Sequence, residues 1–378
     1  MTETAAPAAV RVPFGSLDAD YRARRGPIDA AIARVLARGR FILGDEVVAF
    51  ERELAAYLEI PHVVACGSGT DAIAVALAAA GAGPDDEVIL PANACGPVIA
   101  GVRLAGARPK LADVDRATLT LSRSEAERAL SECTKFLLAV HLYGGLADVE
   151  GLRALARDRG LALVEDCAQS LGASAGGTRS GAFGTAAAFS FYPTKNLGAY
   201  GDAGAIATAD GAIAIRARRV RQYGWSRRDY AEQEGRNSRM DELQAAILRA
   251  KLPSLEADNG SRRRIAGRYD DAFQDLPVTL LAARAGMTPA PHLYVVRTTR
   301  RDELRSHLAA RGIETGIHYP VPLHLQPAYS YLGARRGDFP VSEEASETVL
   351  SLPLYPTLSD EQVGAVVSAV AGFFGERR

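Results

Sequence analysis

LALVEDCAQS, residues 161–170, and AAFSFYPTKNLGAYGDAGA, residues 187–205, are the runs on which the reading of the chain turns. Leu161–Val164 is a short apolar run that reads as a buried strand, and it ends in Glu165 and Asp166. Ala186–Phe191 is a second such run, and it delivers Lys195 into a glycine-rich loop. A carboxylate at one strand end and a lysine just past another suit an aldehyde cofactor with a pyridine nitrogen. The lysine forms a Schiff base with the aldehyde, and the carboxylate keeps the ring nitrogen protonated so that the ring accepts electrons. That is the chemistry of pyridoxal 5'-phosphate (PLP). Taken singly, a loop lysine is ordinarily a solvated charge and a strand-end aspartate a cap or turn former. Their company changes the weighting: Gln169 lies just past Asp166, Ser190 precedes the lysine, and Gly198, Gly201 and Gly204 follow it.

The composition bounds the rest. With 378 residues, 24% of them charged, and a net charge of −1, the chain has length for two or three domains and no basic excess to favour nucleic acid. The densest basic run, Arg216–Arg228, reads as a solvated helix face leading into a loop, or as an attractor for a phosphorylated substrate. The four cysteines, Cys66, Cys95, Cys133 and Cys167, are widely separated and suit reduced thiols, which points to the cytoplasm. The six histidines form no ligand pattern, so no metal is expected. No apolar run approaches the roughly 18 residues of a membrane span. Residues 1–10 are Ala/Pro-rich and read as a loose tail.

In chain order, Pro27–Arg38 and Asp45–Leu58 read as helices, and His62–Cys66 as a strand. GSGTDAIAVALAAAG (67–81) then turns directly into an Ala-rich helix. The amides of Gly69 and Thr70 would point out of its N-terminus, a ready phosphate cup given the lysine downstream. Strands at Glu87–Leu90 and Phe136–His141 follow, and Asp148 caps a helix over Val149–Arg159 that stops at Gly160. This alternation is the α/β signature, with cofactor groups at strand ends. GRNSRMDELQAAIL (235–248) opens a long helix, bent at Pro253. Beyond residue 252 the pattern becomes α+β: a strand at His292–Arg297, a helix at Asp302–Arg311, a strand at Ile313–Tyr319 and a helix at Asp360–Phe374. The expected organisation is a large domain over 11–251 and a small C-terminal domain over 252–378, with the N-terminal helices packing with the latter.

VEDCAQSLGA, AAFSFYPTKNLGAYGDAGA and GRNSRMDELQAAIL, long and correctly spaced, closely resemble the DegT/DnrJ/EryC1/StrS family of sugar aminotransferases, of PLP fold type I. The resemblance runs from about Val12 to the C-terminus. It implies a large domain built on a mixed, mostly parallel seven-stranded sheet. It makes Lys195 the Schiff-base lysine and proton shuttle, Asp166 the partner of the pyridinium nitrogen, and Gln169 the partner of the phenolic oxygen. Ala168 packs on one ring face, and Ser190 offers its hydroxyl to the phosphate. Asn237 reaches a neighbouring subunit's phosphate, which implies a homodimer with shared active sites. His318, Tyr319 and His324, in IHYPVPLHLQ, fall by the substrate entrance and are candidate nucleotide-sugar contacts. Two positions depart from the family: Ala203 stands where G-D-G-G is more usual, and where relatives usually stack an aromatic ring on the pyridine this chain has Cys95, which forfeits stacking of about 0.5–1.5 kcal/mol.

HLYG, IHYPVPLHLQ and LSLPLYP are most similar to enzymes acting on 3-keto sugars, whereas 4-keto enzymes tend to have G-E-G-G where this chain has Gly201-Asp202-Ala203-Gly204. The expected activity is transfer of an amino group from L-glutamate to C3 of a keto-sugar nucleotide, in two ping-pong half-reactions. The alternatives are a 4-keto-sugar or cyclitol aminotransferase, a PLP-dependent dehydratase of the same family, or a PLP-binding partner protein without turnover.

Overall fold

The structure is a computed structural model that describes residues 10–375, so nearly all of the expected N-terminal tail lies outside the described residues. Two helices come first, α1 (Leu17–Arg38) and α2 (Asp45–Leu58). There follow β1 (His62–Cys66), α3 (Gly69–Ala79), β2 (Glu87–Pro91), α4 (Gly96–Leu104), β3 (Arg108–Ala112) and α5 (Arg123–Arg128). Next come β4 (Thr134–Val140), α6 (Val149–Arg159) and β5 (Ala162–Asp166). A small hairpin, β6 (Ser174–Ala175) and β7 (Thr178–Arg179), separates β5 from β8 (Ala186–Ser190) and β9 (Gly204–Thr208). Seven of these strands form one sheet in the order β1-β9-β8-β5-β4-β2-β3. It is parallel except for β9, which runs against both its neighbours, so the expected mixed, mostly parallel sheet is present.

The strands are short and apolar because helices cover both faces of the sheet. On one face α3, apolar almost all round, packs with α4 and a later helix, α7 (Gly211–Val220). On the other lie Val47, Phe50, Leu54 and Leu58 of α2, against Phe189 and Phe191. Register then fixes what meets at the edge: Asp166 sits level with Val140 on one side and Ala188 on the other. Chain leaving β4, β5 and β8 therefore emerges side by side, carrying His141, Asp166 and Ser190.

After α7 a second small hairpin, β10 (Trp225–Arg227) and β11 (Tyr230–Ala231), leads to α8 (Glu242–Lys251). Residues 235–240 are not helical, contrary to the sequence reading; Asn237 instead bridges Gln222. A 3-10 turn at Leu252–Ser254, containing Pro253, joins α8 to α9 (Leu255–Phe273), as the missing proline N–H requires. The remaining elements are β12 (Thr279–Leu280), β13 (Met287–Thr288), β14 (Tyr294–Arg297), α10 (Arg301–Ala309), α11 (Pro340–Thr348), β15 (Val349–Leu352) and α12 (Asp360–Gly375). Strands β12, β14 and β15 form an antiparallel sheet whose core also takes Ile265, Tyr269 and Phe273 of α9.

Two expectations are corrected here. Ile313–Tyr319 is not a strand: Ile313 bridges Val12, Gly316 bridges Ser351, and the intervening backbone has no ladder partner. Nor do the N-terminal helices join the smaller core. α2 lies on the main sheet, and Ala31 and Val35 of α1 lie on Ala246 of α8. It is the segment before them that crosses over, with Val12 buried in the small cluster. Of the arginines in the basic run Arg216–Arg228 only Arg221 is buried, donating to Glu51 and to the Ala65 carbonyl, both at 2.6 Å, while Arg218, Arg227 and Arg228 are exposed. No described helix is long and apolar enough to cross a membrane.

Candidate active site

Asp166 ends β5 as a buried carboxylate. Its Oδ1 accepts the Ala168 amide at 3.0 Å, while Oδ2 has no hydrogen-bond partner among the described residues. Burial pushes its proton affinity up, against the pull of that amide, Lys195 and His141. Lys195 stands in the loop after β8, and burial pushes its ammonium down, with Cys95 and Asp166 opposing. A half-buried lysine with lowered proton affinity more readily presents the neutral amine that attacks a carbonyl. Behind Asp166, Glu165 accepts the amides of Gly181 (2.9 Å), Phe183 (2.8 Å) and Gly184 (2.8 Å). His141 Nδ1 accepts the Ala147 amide at 3.1 Å, so Nε2 carries the proton and donates to Glu165 at 2.9 Å. His141, Glu165 and Cys167 thus lie as close as metal ligands would, yet the carboxylate and both imidazole nitrogens are already committed to hydrogen bonds.

Gln169 is oriented from both ends. Its Oε1 accepts the Tyr143 amide at 2.8 Å, and its Nε2 donates to the Tyr319 hydroxyl at 3.0 Å. Tyr143 holds a left-handed φ of 61°, and its hydroxyl donates to the carbonyl of His318. The Tyr319 phenol is pushed far up by burial, with the Cys95 thiol beside it. Cys95 caps α4 half-buried, and its thiol is likewise raised by burial. Tyr329 is also close, its hydroxyl 3.8 Å from where a Cβ on Gly96 would sit. Two tyrosines therefore lie near the position at which an aromatic residue was expected.

The N-terminus of α3 faces β8 at close range. A Cβ on Gly69 would come within 2.5 Å of Ser190 Cβ, and one on Gly204 within 2.3 Å of the Ser68 carbonyl oxygen. Ser68 caps the helix by accepting the Asp71 amide at 3.1 Å, leaving the first amides, around Gly69 and Thr70, pointing outward. Asn237 stands apart, exposed on its loop, while its neighbour Ser238 accepts the Gly67 amide at 3.1 Å.

On its far side Lys195 lines a cavity of about 210 Å³ with Asn196, Arg262, His292 and His318 among its walls. His318 stacks on Phe14 and pairs its Nδ1 with Ser351 Oγ at 2.8 Å. Burial, helped by Lys195, pushes its imidazole down to about 4. The structure thus brings together Gly69 with Ser190, Cys95 with Lys195 and Asp166, and Gln169 with Tyr319, and it sets His318 beside Lys195. It does not bring in His324, which is buried against Glu343 (2.9 Å) and Phe339. Sequence reading passed over Tyr143 and Asn196, although both stand inside quoted motifs (HLYG and FYPTKNLG), and over Arg262, His292 and Tyr329, which lie in no such motif.

A family model for DegT/DnrJ/EryC1/StrS aminotransferases matches residues 24–371. The chain belongs to that family. This family member is 48% identical over 362 residues, 95% of each chain, to dTDP-3-amino-3,4,6-trideoxy-alpha-D-glucose transaminase of Streptomyces venezuelae. Its fold matches the crystal structure of S. venezuelae DesV with a TM-score of 0.95 at 46% identity, covering 97% of this chain and 99% of that one. NtdA of Bacillus subtilis, solved with its cofactor PMP (the amine form of PLP) bound, matches with a TM-score of 0.90 at 30% identity, covering 98% and 87%. The family member described here is a PLP-dependent aminotransferase.

Proposed function

We propose that the enzyme moves an amino group from L-glutamate to C3 of a nucleoside-diphosphate keto-sugar. The observation that carries this is the pairing of buried Asp166, with one open oxygen, and half-buried Lys195, with lowered proton affinity. These residues fit PLP: an acceptor for a ring N–H, an amine for an aldehyde, and, at Gly69, Thr70 and Ser190, an amide-rich cleft for a phosphate. When bound, PLP supplies the aldehyde and an electron-accepting ring. The chain supplies the rest. Asp166 would hold the proton on the ring nitrogen, Gln169 would steady the ring oxygen, and Ala168 and Cys95 would pack against the cofactor. Lys195 moves the proton at the α-carbon of donor and acceptor. Tyr319 stands at the acceptor's approach, whereas His318 lines the cavity on the other side of Lys195.

The C3 assignment draws on the relative whose name places the new amine at position 3. A second copy of the chain would bring Asn237 to the phosphate, consistent with its exposure here and with exposed Phe41, Ile42 and Val48. Free cysteines throughout the described residues suit a reducing compartment such as the cytoplasm.

An absorbance spectrum with and without L-glutamate tests the donor half. The near-visible band of lysine-bound cofactor is expected to move to shorter wavelength, and a 3-keto dTDP- or UDP-sugar to restore it with a mass change matching amination. A band that glutamate leaves in place removes the donor, and restoration by 4-keto sugars alone removes C3. Lys195→Ala is expected to lower turnover by a factor on the order of 10³ or more while PLP still binds. Retained turnover in that variant would overturn the site.

A further inference from the structure

The cavity beside Lys195 is lined by three cations, Lys195, Lys251 and Arg262, and two carboxylates, Asp20 and Asp258. Both carboxylates are already matched. Asp20 meets Lys251 at 2.7 Å and also Arg24, and Arg24 reaches on to Asp258. Lys251 completes its shell on the Gly198 carbonyl at 2.6 Å. Arg262 is the exception. It is only 6% exposed, and its Nη1 donates to two backbone carbonyls, of His292 at 3.3 Å and Leu354 at 2.8 Å. Among the described residues no carboxylate touches it, and neither Nε nor Nη2 has a partner.

A guanidinium taken out of water and left with carbonyls alone is costly, and an anion in contact offsets that cost. The neighbours respond to the same excess. Burial pushes Arg262 itself down to about 10, although Asp258 and Asp20 oppose the shift through space without touching it. His292 is pushed down by burial, by Lys195 and by Arg262, so it adds a hydrogen-bonding ring to the cavity and no charge. A cavity of about 210 Å³ lies below the roughly 300–1,000 Å³ of pockets for drug-sized ligands, and so suits a small acid better than a nucleotide sugar.

We propose that this cavity is the subsite of the amino-acid donor, with Arg262 binding one of its carboxylates. The proposal rests on the reading of glutamate as donor and separates the two substrates in space. The donor lies on the Arg262 side of Lys195, and the sugar nucleotide comes past Cys95, Tyr319 and Tyr329. Lys195 lines the cavity and also lies close to Cys95, so one amine serves both.

The test takes the PLP-loaded protein and follows the glutamate half-reaction by rapid-mixing absorbance in wild type, Arg262→Gln and Arg262→Lys. Arg262→Gln is expected to raise the donor's apparent Kd by roughly 30-fold or more, the loss of a buried charge pair. Arg262→Lys should recover part of it. PLP affinity, and the sugar half-reaction started from protein loaded with PMP, should stay within about 3-fold of wild type. An unchanged donor Kd in Arg262→Gln, or equal losses in both half-reactions, overturns the subsite while leaving the glutamate reading intact. A wild-type protein that does not respond to glutamate overturns both. If Arg262→Gln does not fold, crystals of wild-type holoprotein with glutarate decide: a carboxylate on Arg262 supports the subsite, and glutarate bound elsewhere or absent overturns it.

Discussion

His318 shows how one residue can be coupled to pH without titrating in the working range. Burial and Lys195 push its imidazole down to about 4, whereas a histidine in the unfolded chain titrates near 6.5. Between those values the unfolded chain takes a proton that the folded chain refuses. Stability is therefore full above about pH 6.5 and declines as the pH falls towards 4, by roughly 3 kcal/mol at most from this residue. Melting curves from pH 7.5 to 4.5 should show His318→Gln losing less on acidification than wild type. Parallel curves would mean that other groups carry the acid sensitivity. The neutral imidazole is also what the site needs, since a charged one beside Lys195 would repel its ammonium form and stand over Phe14 without a counter-ion.

At the scale of elements, the approach of α3 to β8 and β9 is the tightest constraint on the site. A Cβ on Gly204 would meet the Ser68–Gly69 peptide, with Ser68 O at 2.3 Å, Ser68 C at 2.5 Å and Gly69 N at 2.9 Å. Either β9 or the first turn of α3 has to shift. Gly204→Ala should therefore weaken PLP binding by about tenfold or more and cost about 1–3 kcal/mol in melting stability. Gly201→Ala is the matched control, because its nearest neighbour is the Gln244 side chain at 3.0 Å, which can move. Equal behaviour of the two variants would refute the close-approach argument. These glycines were visible in the sequence, but the reason for Gly204 was not, because Ser68 comes to it from far along the chain. What was legible had local causes. The apolar stripe of α2, the Asp148 side chain accepting the Gly151 amide at 3.2 Å at the start of α6, and the left-handed Gly160 at its end are all written within a turn or two. Ile313–Tyr319 was misread because its alternation looks like a strand, while its backbone is divided between Val12 and Ser351. Strand β15, the true partner of β14, is a four-residue run that follows a helix with no turn signal between them. The same limit applies in the site. Cys95 stood out as a departure, but its tyrosine neighbour could not be read, since Gln169 and Tyr319 meet across 150 residues of chain.

At the scale of the whole molecule the open question is which groups a single chain lacks. Lys195, Asp166, Ser190 and the α3 N-terminus are all supplied within one chain, while Asn237 stands exposed on the 235–240 segment, its backbone bridged to Gln222. If Asn237 serves the phosphate of a neighbouring copy, each site takes its lysine from one chain and its asparagine from the other. Asn237→Asp would set a carboxylate against that phosphate and should weaken PLP binding strongly by like-charge repulsion. Lys195→Ala is inactive for an independent reason. Co-refolding the two inactive variants then separates the arrangements. In a hybrid dimer with sites shared across the interface, one site loses both residues, and the other joins an intact Lys195 to an intact Asn237 from its neighbour. Activity should therefore return to a fraction set by the share of hybrids, and in proportion to a dimer peak in light scattering. If Asn237 acts within its own chain, every site in the hybrid still carries one lesion, and mixing restores nothing. Recovery on mixing thus tests whether the segment between α7 and α8 serves the site of a neighbouring copy.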